Sequence, residues 1–384
     1  MNIFVLDITG RNATQYNPSL CSSLAQVEGV KVTLLSPTLS ECNGGYTYKK
    51  LIKLIPDNLT SSESNIKRIL RLLEVLLNYS YLILIVLFKR PDVLHFQWLP
   101  LLEFVSGESL VLKMIKVVSS KTKIVLTVHN IYPHNMTDVG ERNYHSRFLK
   151  LDHLIDAYIV HLYSSKHELA TKFCISDAKI HVAYHGIYVA DKYRHQESDS
   201  RSEVKKIIMF GYQNYYKGTD LLIEALKILP ENYLSKIKVK IVGKTEQNLF
   251  ERYQSECEKL NVEWNGNFVP EEELYDAIGD SDLILLPYRS ISQSGVLLLA
   301  LSYRKPIITS DLPSFKETLE GYSDDWFFKA DNIVSLNETI KRFIDQGIDT
   351  EKMVSIIDLL NQKYSWKESA KATVKVYDQV SSAS

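Results

Sequence analysis

The sequence predicts an α/β protein made of two doubly wound domains, each a parallel β-sheet with helices on both faces. Three observations predict it. The 384-residue chain is longer than one ordinary core organises. Short β-branched runs alternate along it with longer stretches of helical periodicity, the pattern that produces parallel sheets. The alternation breaks once, at the polar stretch 191–206, where Lys, Arg, Glu, Asp and Ser replace the apolar residues, and then starts again.

In the first half, strands are expected at 3–6, 31–35, 93–96, 123–128, 157–161 and 179–183, all short β-branched runs. Helical periodicity falls between them, at 19–27, 64–76, 108–119 and 164–172. The second half repeats the scheme, with strands at 207–210, 239–242, 262–264, 283–286 and 306–309. Its helices are expected at 219–228, 245–260, 270–278, 295–302 and 335–346. No internal repeat of the kind that builds a solenoid is visible. Doubly wound sheets bind ligands outside the carboxyl ends of their strands, so two such domains facing each other make a cleft, and the loops after the strands are the places to search for chemistry.

Bulk composition narrows the classes. With 45% hydrophobic and 24% charged residues the chain reads as soluble and globular, and a net charge of −1 excludes the basic footprint of a nucleic-acid binder. Cys21, Cys42, Cys174 and Cys257 are scattered, with no C-x-x-C pair and no His at ligand spacing, and read as reduced thiols. Met1 runs straight into an apolar strand with no leader ahead of it, so the expected location is the cytoplasm. Charge is uneven: between Lys49 and Lys123, basic residues outnumber acidic ones two to one. That stretch also holds the apolar run Tyr79–Phe88, about half the length a spanning helix needs. Two readings stay open for it: a core helix with a solvated basic face, or a basic, apolar surface resting on the inner face of an anionic membrane.

Four loops carry candidate chemistry. The richest is 286–310, where a buried strand ends at Pro287, a loop of small polar residues follows, and Ser294-Gly295 open an apolar helix. The free amides of that helix start, with the Ser292 and Ser294 hydroxyls, suit a phosphate; ordinary N-capping by Ser294 is the rival reading. The segment Phe210-Gly211-Tyr212-Gln213-Asn214-Tyr215-Tyr216-Lys217-Gly218 again joins a strand to a helix, and Lys217 stands where its ammonium could meet the same phosphates or simply be solvated. Thr127-Val128-His129-Asn130 puts a histidine at a strand's carboxyl end, for substrate or for structure. The polar loop from Gly10 to Tyr16, which includes Arg11, follows the first strand and lacks the G-x-G-x-x-G of a dinucleotide site. Two decoys are set aside. Asp280-Ser281-Asp282 resembles a metal-holding D-x-D but sits at the amino end of its strand, and Lys166-His167-Glu168 lies within a helix.

Taken in order, these segments resemble family 4 of the retaining glycosyltransferases over nearly the whole chain. The similar pieces are the Gly10 loop, Leu94-His95-Phe96-Gln97-Trp98, Thr127-Val128-His129-Asn130, His185-Gly186, Lys217-Gly218, Asn267-Phe268-Val269-Pro270, and Leu286-Pro287 through Lys305-Pro306. The resemblance implies the GT-B architecture, two facing Rossmann-like domains with a central cleft. It assigns 1–190 plus 366–384 to an acceptor-binding domain, 191–203 to a linker and 204–365 to a nucleotide-sugar domain, the last helix crossing back onto the first domain. It implies that Lys217 neutralises the donor diphosphate and that Ser294, Gly295 and Val296 receive the same group. Phe268 and Val269 would hold the base, Gly10 and Arg11 would close over the pyrophosphate, and His129 would contact the transferred sugar. Gly211, Tyr212, Asn214, Ser292 and Gln293 complete the implied donor site.

Two departures stand out. The family's E-x7-E glutamates fall on Ile291 and Leu299, and the arginine expected before Lys217 is missing, with Tyr212 and Asn214 at the candidate positions. The loss of one cation is an effect worth a few kcal/mol in comparable sites. The implied reaction is front-face transfer of a hexose from a UDP- or GDP-sugar to a glycan or lipid-linked hydroxyl, as in surface polysaccharide synthesis. No metal ion and no further cofactor is expected. A nucleotide-sugar epimerase would need paired carboxylates that the sequence does not offer. A catalytically silent subunit that supports a partner transferase is the alternative the missing glutamates motivate.

Overall fold

The computed structural model describes residues 1–10, 15–38, 44–55, 65–133, 136–188 and 204–382. Arg11, Cys42 and the expected linker 191–203 lie outside the described residues. The chain divides into two compact units, 1–186 with 364–384, and 187–363.

The first unit is built on a seven-stranded parallel sheet: β1 (Asn2–Leu6), β2 (Lys31–Ser36), β3 (Thr47–Lys50), β4 (Val93–Phe96), β5 (Lys123–Thr127), β6 (Ala157–Val160) and β7 (Ile180–Val182). Their spatial order is β3-β2-β1-β4-β5-β6-β7. The central strands are buried on both faces, which is why they read as unbroken apolar runs and not as alternating ones. Two apolar layers cover the sheet, one built on Leu6, Leu94, Leu126 and Tyr158, the other on Val5, Leu34, Val125 and Ile159. The last helix, Trp366–Ser382, belongs to this second layer through Ala370, Val376 and Tyr377.

The second unit has a six-stranded parallel sheet: β8 (Lys205–Phe210), β9 (Ile237–Val242), β10 (Val262–Asn265), β11 (Leu283–Leu286), β12 (Ile307–Ser310) and β13 (Phe327–Phe328), in the order β10-β9-β8-β11-β12-β13. Strand order reverses at β1/β4 in the first sheet and at β8/β11 in the second. Such switch points part the loops and leave room for a ligand.

Two strands escaped the sequence reading. β3 is a short edge strand of polar residues and β13 has only two residues, so neither carries an apolar run. The helix expected at 64–76 and the apolar run Tyr79–Phe88 are one continuous helix, Asn65–Lys89, because no Gly or Pro interrupts them. The core-helix reading of that run is corrected in part: Tyr79, Leu82, Ile85 and Val86 are buried, whereas Tyr81, Leu84, Leu87 and Phe88 are exposed.

Candidate functional site

In the second unit, the loops after β8 and β11 flank the switch point and bring Lys217 to the start of the helix Gly295–Ser302. Lys217 is 5% exposed. Its Nζ donates to the Tyr288 hydroxyl and lies 4.2 Å from the centre of that ring. The Ser294 side chain lies close to the Tyr288 hydroxyl. Ser294 caps the helix, its Oγ accepting from the Leu297 amide at 3.1 Å. The capping reading of Ser294 is thus correct as far as it goes, and the same residue stands beside the hydroxyl that Lys217 bonds.

Two glycines bring these parts close. Gly211 has φ +101, and a Cβ there would stand 3.1 Å from Val296 Cγ2 and 3.7 Å from Lys217 Nζ. Gly218 has φ +75, and a Cβ would fall 1.8 Å from the Pro287 carbonyl oxygen. Gly218→Ala therefore combines left-handed strain with a backbone clash and must displace the Lys217 turn. We expect a loss of roughly 1–3 kcal/mol in stability together with weaker nucleotide-sugar binding, read by chemical denaturation and calorimetry. Unchanged values for both would contradict this geometry.

Gln213, unremarked in the sequence, organises the same loop. Its side chain is fully buried, accepting from the Thr219 hydroxyl at 2.8 Å and donating to the Gly211 carbonyl at 2.8 Å. Arg289 closes the far side with a bidentate pair to Asp220 at 2.7 and 2.8 Å, a bond to Asp331 at 2.7 Å and one to the Tyr215 carbonyl. It is committed to holding the Tyr215–Lys217 turn and does not replace the arginine missing from the loop.

The electrostatics favour an anion. Among the described residues no carboxylate comes within ion-pair distance of Lys217, and burial lowers its pKa to about 7. A shift of that size means the charged form is disfavoured by about 5 kcal/mol relative to water. A buried amine in that condition is poised for an incoming anionic group. Two more polar atoms lie in the same two loops: Asn214 Oδ1 and Gln293 Oε1 are buried without a hydrogen-bond partner among the described residues. Tyr212 is half-exposed and Ser292 partly so, while Gly295 is exposed at the helix start. Phe268 is 77% exposed, with Val269 partly buried behind it. The E-x7-E positions supply no side-chain acceptor; Ile291 offers its backbone carbonyl, which the Ser314 hydroxyl already occupies at 2.9 Å. Asp280 and Asp282 are engaged at the amino end of β11, on the Lys206 ammonium at 2.6 Å and the Lys206 amide at 2.8 Å.

The first unit carries a second constellation. Histidines stand at or just beyond the carboxyl ends of four neighbouring strands: His95 in β4, His129 after β5, His161 after β6 and His185 after β7. The Tyr16 ring lies among them, 4.8 Å from His129, 4.8 Å from His185, 5.6 Å from His161 and 5.2 Å from Trp366. Gly10, with φ +75, donates its amide to Asp7 at 2.8 Å, and Asp7 also receives Asn17 at 2.9 Å. A pocket beside His129 is walled by Trp98, Leu99, Leu102, Tyr144 and Phe148.

Proton positions in this cluster follow from its acceptors. His161 Nδ1 lies 2.9 Å from the Ala183 carbonyl, which can only accept, so Nδ1 carries the proton. Burial lowers the His161 pKa to about 4 and keeps the ring neutral, leaving a lone pair on Nε2. His129 Nδ1, 3.2 Å away, must then be the donor, and its own lone pair falls on Nε2. His129 Nε2 faces the Gln97 side-chain amide, with Oε1 at 3.2 Å. Two acceptors cannot face each other there. Either the amide turns its N–H inward or the histidine pair takes up another proton, and burial of every ring opposes the second. His95, lowered to about 3, bridges the Tyr377 and Thr127 hydroxyls at 2.6 Å each.

The cluster sets an acid limit. Folded-state pKa values of about 3 to 4 lie below the ordinary value of 6.5, so the unfolded chain binds more protons. The stability that follows is complete above pH 6.5 and is lost as pH falls towards 4 and below. At pH 5 each such histidine costs about 2 kcal/mol. Urea unfolding at pH 7.5 and pH 5 should show a marked loss for the first unit; equal midpoints would contradict a neutral, buried cluster.

Comparison with known proteins identifies the family and the fold. Residues 14–191 match the family model described as Glycosyltransferase Family 4, and residues 191–357 the one described as Glycosyl transferases group 1. A GDP-mannose:glycolipid 4-beta-D-mannosyltransferase from Xanthomonas campestris pv. campestris is 24% identical over 254 residues, 63% of this chain and 68% of that one. A solved glycosyltransferase from Rickettsia africae ESF-5 has a TM-score of 0.69 at 15% identity, covering 99% of this chain and 98% of its own. The Anabaena protein HepE, crystallised with UDP and glucose, has a TM-score of 0.65 at 14% identity over 100% of this chain and 99% of its own. At such identities the two structures speak for the fold alone, and they share it from end to end.

Proposed function

The chain belongs to glycosyltransferase family 4 and has the GT-B fold; from that premise we propose that it moves a hexose, with retention of configuration, from a UDP- or GDP-sugar to a hydroxyl of a glycan or lipid-linked acceptor. The observation that carries this reading is the buried, carboxylate-free Lys217, bonded to Tyr288 beside the start of the helix Gly295–Ser302. That arrangement suits a diphosphate. Lys217 and the free amides at Gly295 and Val296 would take the charge that develops as the nucleoside diphosphate leaves, while the acceptor hydroxyl attacks from the same face. Fixed protein groups would thereby do the work otherwise given to a metal ion. Phe268 and Val269 would hold the base, and Asn214 and Gln293 offer acceptors for donor hydroxyls. The pocket beside His129 would seat the sugar or the acceptor.

Support for donor and acceptor class comes from the relatives' own descriptions, GDP-mannose and a glycolipid for the Xanthomonas enzyme, UDP and glucose for HepE. The proposed role is in surface polysaccharide or glycoconjugate synthesis, with the cytoplasm as the proposed location. The test is turnover of a panel of UDP- and GDP-sugars with and without acceptor, followed by NMR of the anomeric centre. A product of the donor's own configuration agrees with front-face transfer; the opposite anomer would overturn it. Turnover without acceptor would indicate an epimerase. The replaced glutamates, Ile291 and Leu299, favour one second reading, a silent subunit: no turnover alone, and a partner transferase whose rate is indifferent to Lys217→Met.

A further inference from the structure

The helix Asn65–Lys89 buries Val75, Tyr79, Leu82, Ile85 and Val86 in the core, yet stays apolar on its outer face. Its polar residues Glu74 and Asn78 face the domain, Glu74 accepting from the Leu54 amide at 2.8 Å and Asn78 from the Ile52 amide at 2.8 Å. A second set of apolar residues faces outward: Ile66, Ile69, Leu73, Leu77, Tyr81, Leu84 and Phe88 recur at intervals of three and four and are 39% to 77% exposed. The helix packed beside it, Gly107–Val118, adds Leu110, Met114 and Val117 at 58%, 43% and 86% exposure. Isolated exposed leucines are ordinary, but a continuous stripe over about six helical turns is a surface made to be covered.

Charge says by what. Each of the two helices has a single acid, and both are turned inward; Glu108 accepts from the Leu101 amide and the Tyr79 hydroxyl and is 1% exposed. The bases Arg68, Arg71, Lys89 and Lys113 are exposed around the apolar stripe. A second copy of the chain meeting this face about a twofold axis would set like charge against like.

We propose that this face docks on an anionic lipid bilayer, the helix Asn65–Lys89 lying in the plane of the interface with its stripe among the acyl chains and its bases on the headgroups. The helix is long and apolar enough to span a membrane, but the bonds of Glu74 and Asn78 to the domain keep it lying along the surface. The proposal is independent of the transfer reaction.

The test is sedimentation of the full chain with vesicles of phosphatidylcholine alone and of phosphatidylcholine mixed with phosphatidylglycerol, free of any sugar acceptor. Binding is expected to the anionic vesicles and to weaken with salt. The triple change Arg68→Gln, Arg71→Gln, Lys113→Gln should weaken it about a hundredfold at low salt. Ile69→Ser with Leu73→Ser and Leu77→Ser should weaken it by more than about tenfold, with thermal melting and nucleotide-sugar binding unchanged because these side chains are already exposed. No binding, equal binding to neutral vesicles, or no effect of the serine variant would each overturn the proposal. So would light scattering that shows a dimer which the serine variant dissociates. Because donor binding is read separately, none of these results touches the proposed reaction.

Discussion

Lys217→Met is expected to lower kcat/KM for the nucleotide sugar on the order of a thousandfold, the size seen when one preorganised charge-stabilising group is removed. Methionine fills the same channel beside Tyr288 and Gly211, so the chain should fold normally. The variant should also lose a pH dependence that the native protein shows. Burial holds the Lys217 pKa near 7 in the free site, and a bound diphosphate would raise it. Below about pH 7 the lysine is charged before the donor arrives, and affinity is at its maximum. Above that value each donor molecule must bring a proton in with it, so affinity should fall by up to about tenfold per pH unit. Isothermal titration from pH 6.5 to 8.5, in buffers of different ionisation enthalpy, reads both the affinity and the proton uptake. A flat profile in the native protein, or the same slope in the variant, would remove Lys217 from the donor site.

The second large effect is expected at His129. If its ring contacts the transferred sugar, His129→Ala should lower kcat about a hundredfold while donor affinity changes only a few-fold. His161 acts one step behind as a positioning residue, since its Nε2 accepts the His129 Nδ1 proton at 3.2 Å and so fixes the His129 lone pair on Nε2. His161→Phe should therefore shift the pH profile of kcat as well as reduce it, because His129 would lose its acceptor and its tautomer. A loss of stability in His161→Phe with no change in that profile would assign the histidines to structure alone.

Much of this was legible in the chain itself. Eleven of the described strands could be read because a sheet buried on both faces demands continuous apolar runs, as in Leu283–Leu286. Lys217 and Ser294 stood out as polar residues in the loops that follow such runs. Their union did not, since Tyr288 follows Pro287 and resembles the end of a buried strand; only the fold reveals that its hydroxyl lies beside both. Gln213 was hidden likewise, a glutamine whose buried side chain replaces backbone bonds within its loop. The histidine cluster did leave a signal, one histidine at the carboxyl end of each of four successive strands, and strand ends in a doubly wound sheet converge. For the helix Asn65–Lys89, periodicity marks an amphipathic helix but not which face is turned inward. Glu74 and Asn78 decide that through bonds to Leu54 and Ile52, which sequence spacing does not reveal.

The most direct test of the central claim, that the second unit holds a nucleotide-sugar diphosphate between Lys217 and the helix at Ser294, is a thermal-shift panel of UDP, GDP, ADP and their hexose conjugates on the native chain and on Lys217→Met. One base should stabilise the native protein by about 2.7 kcal/mol at a hundredfold excess over Kd, and the variant far less. No shift with any nucleotide, or an equal shift in both proteins, would contradict the claim.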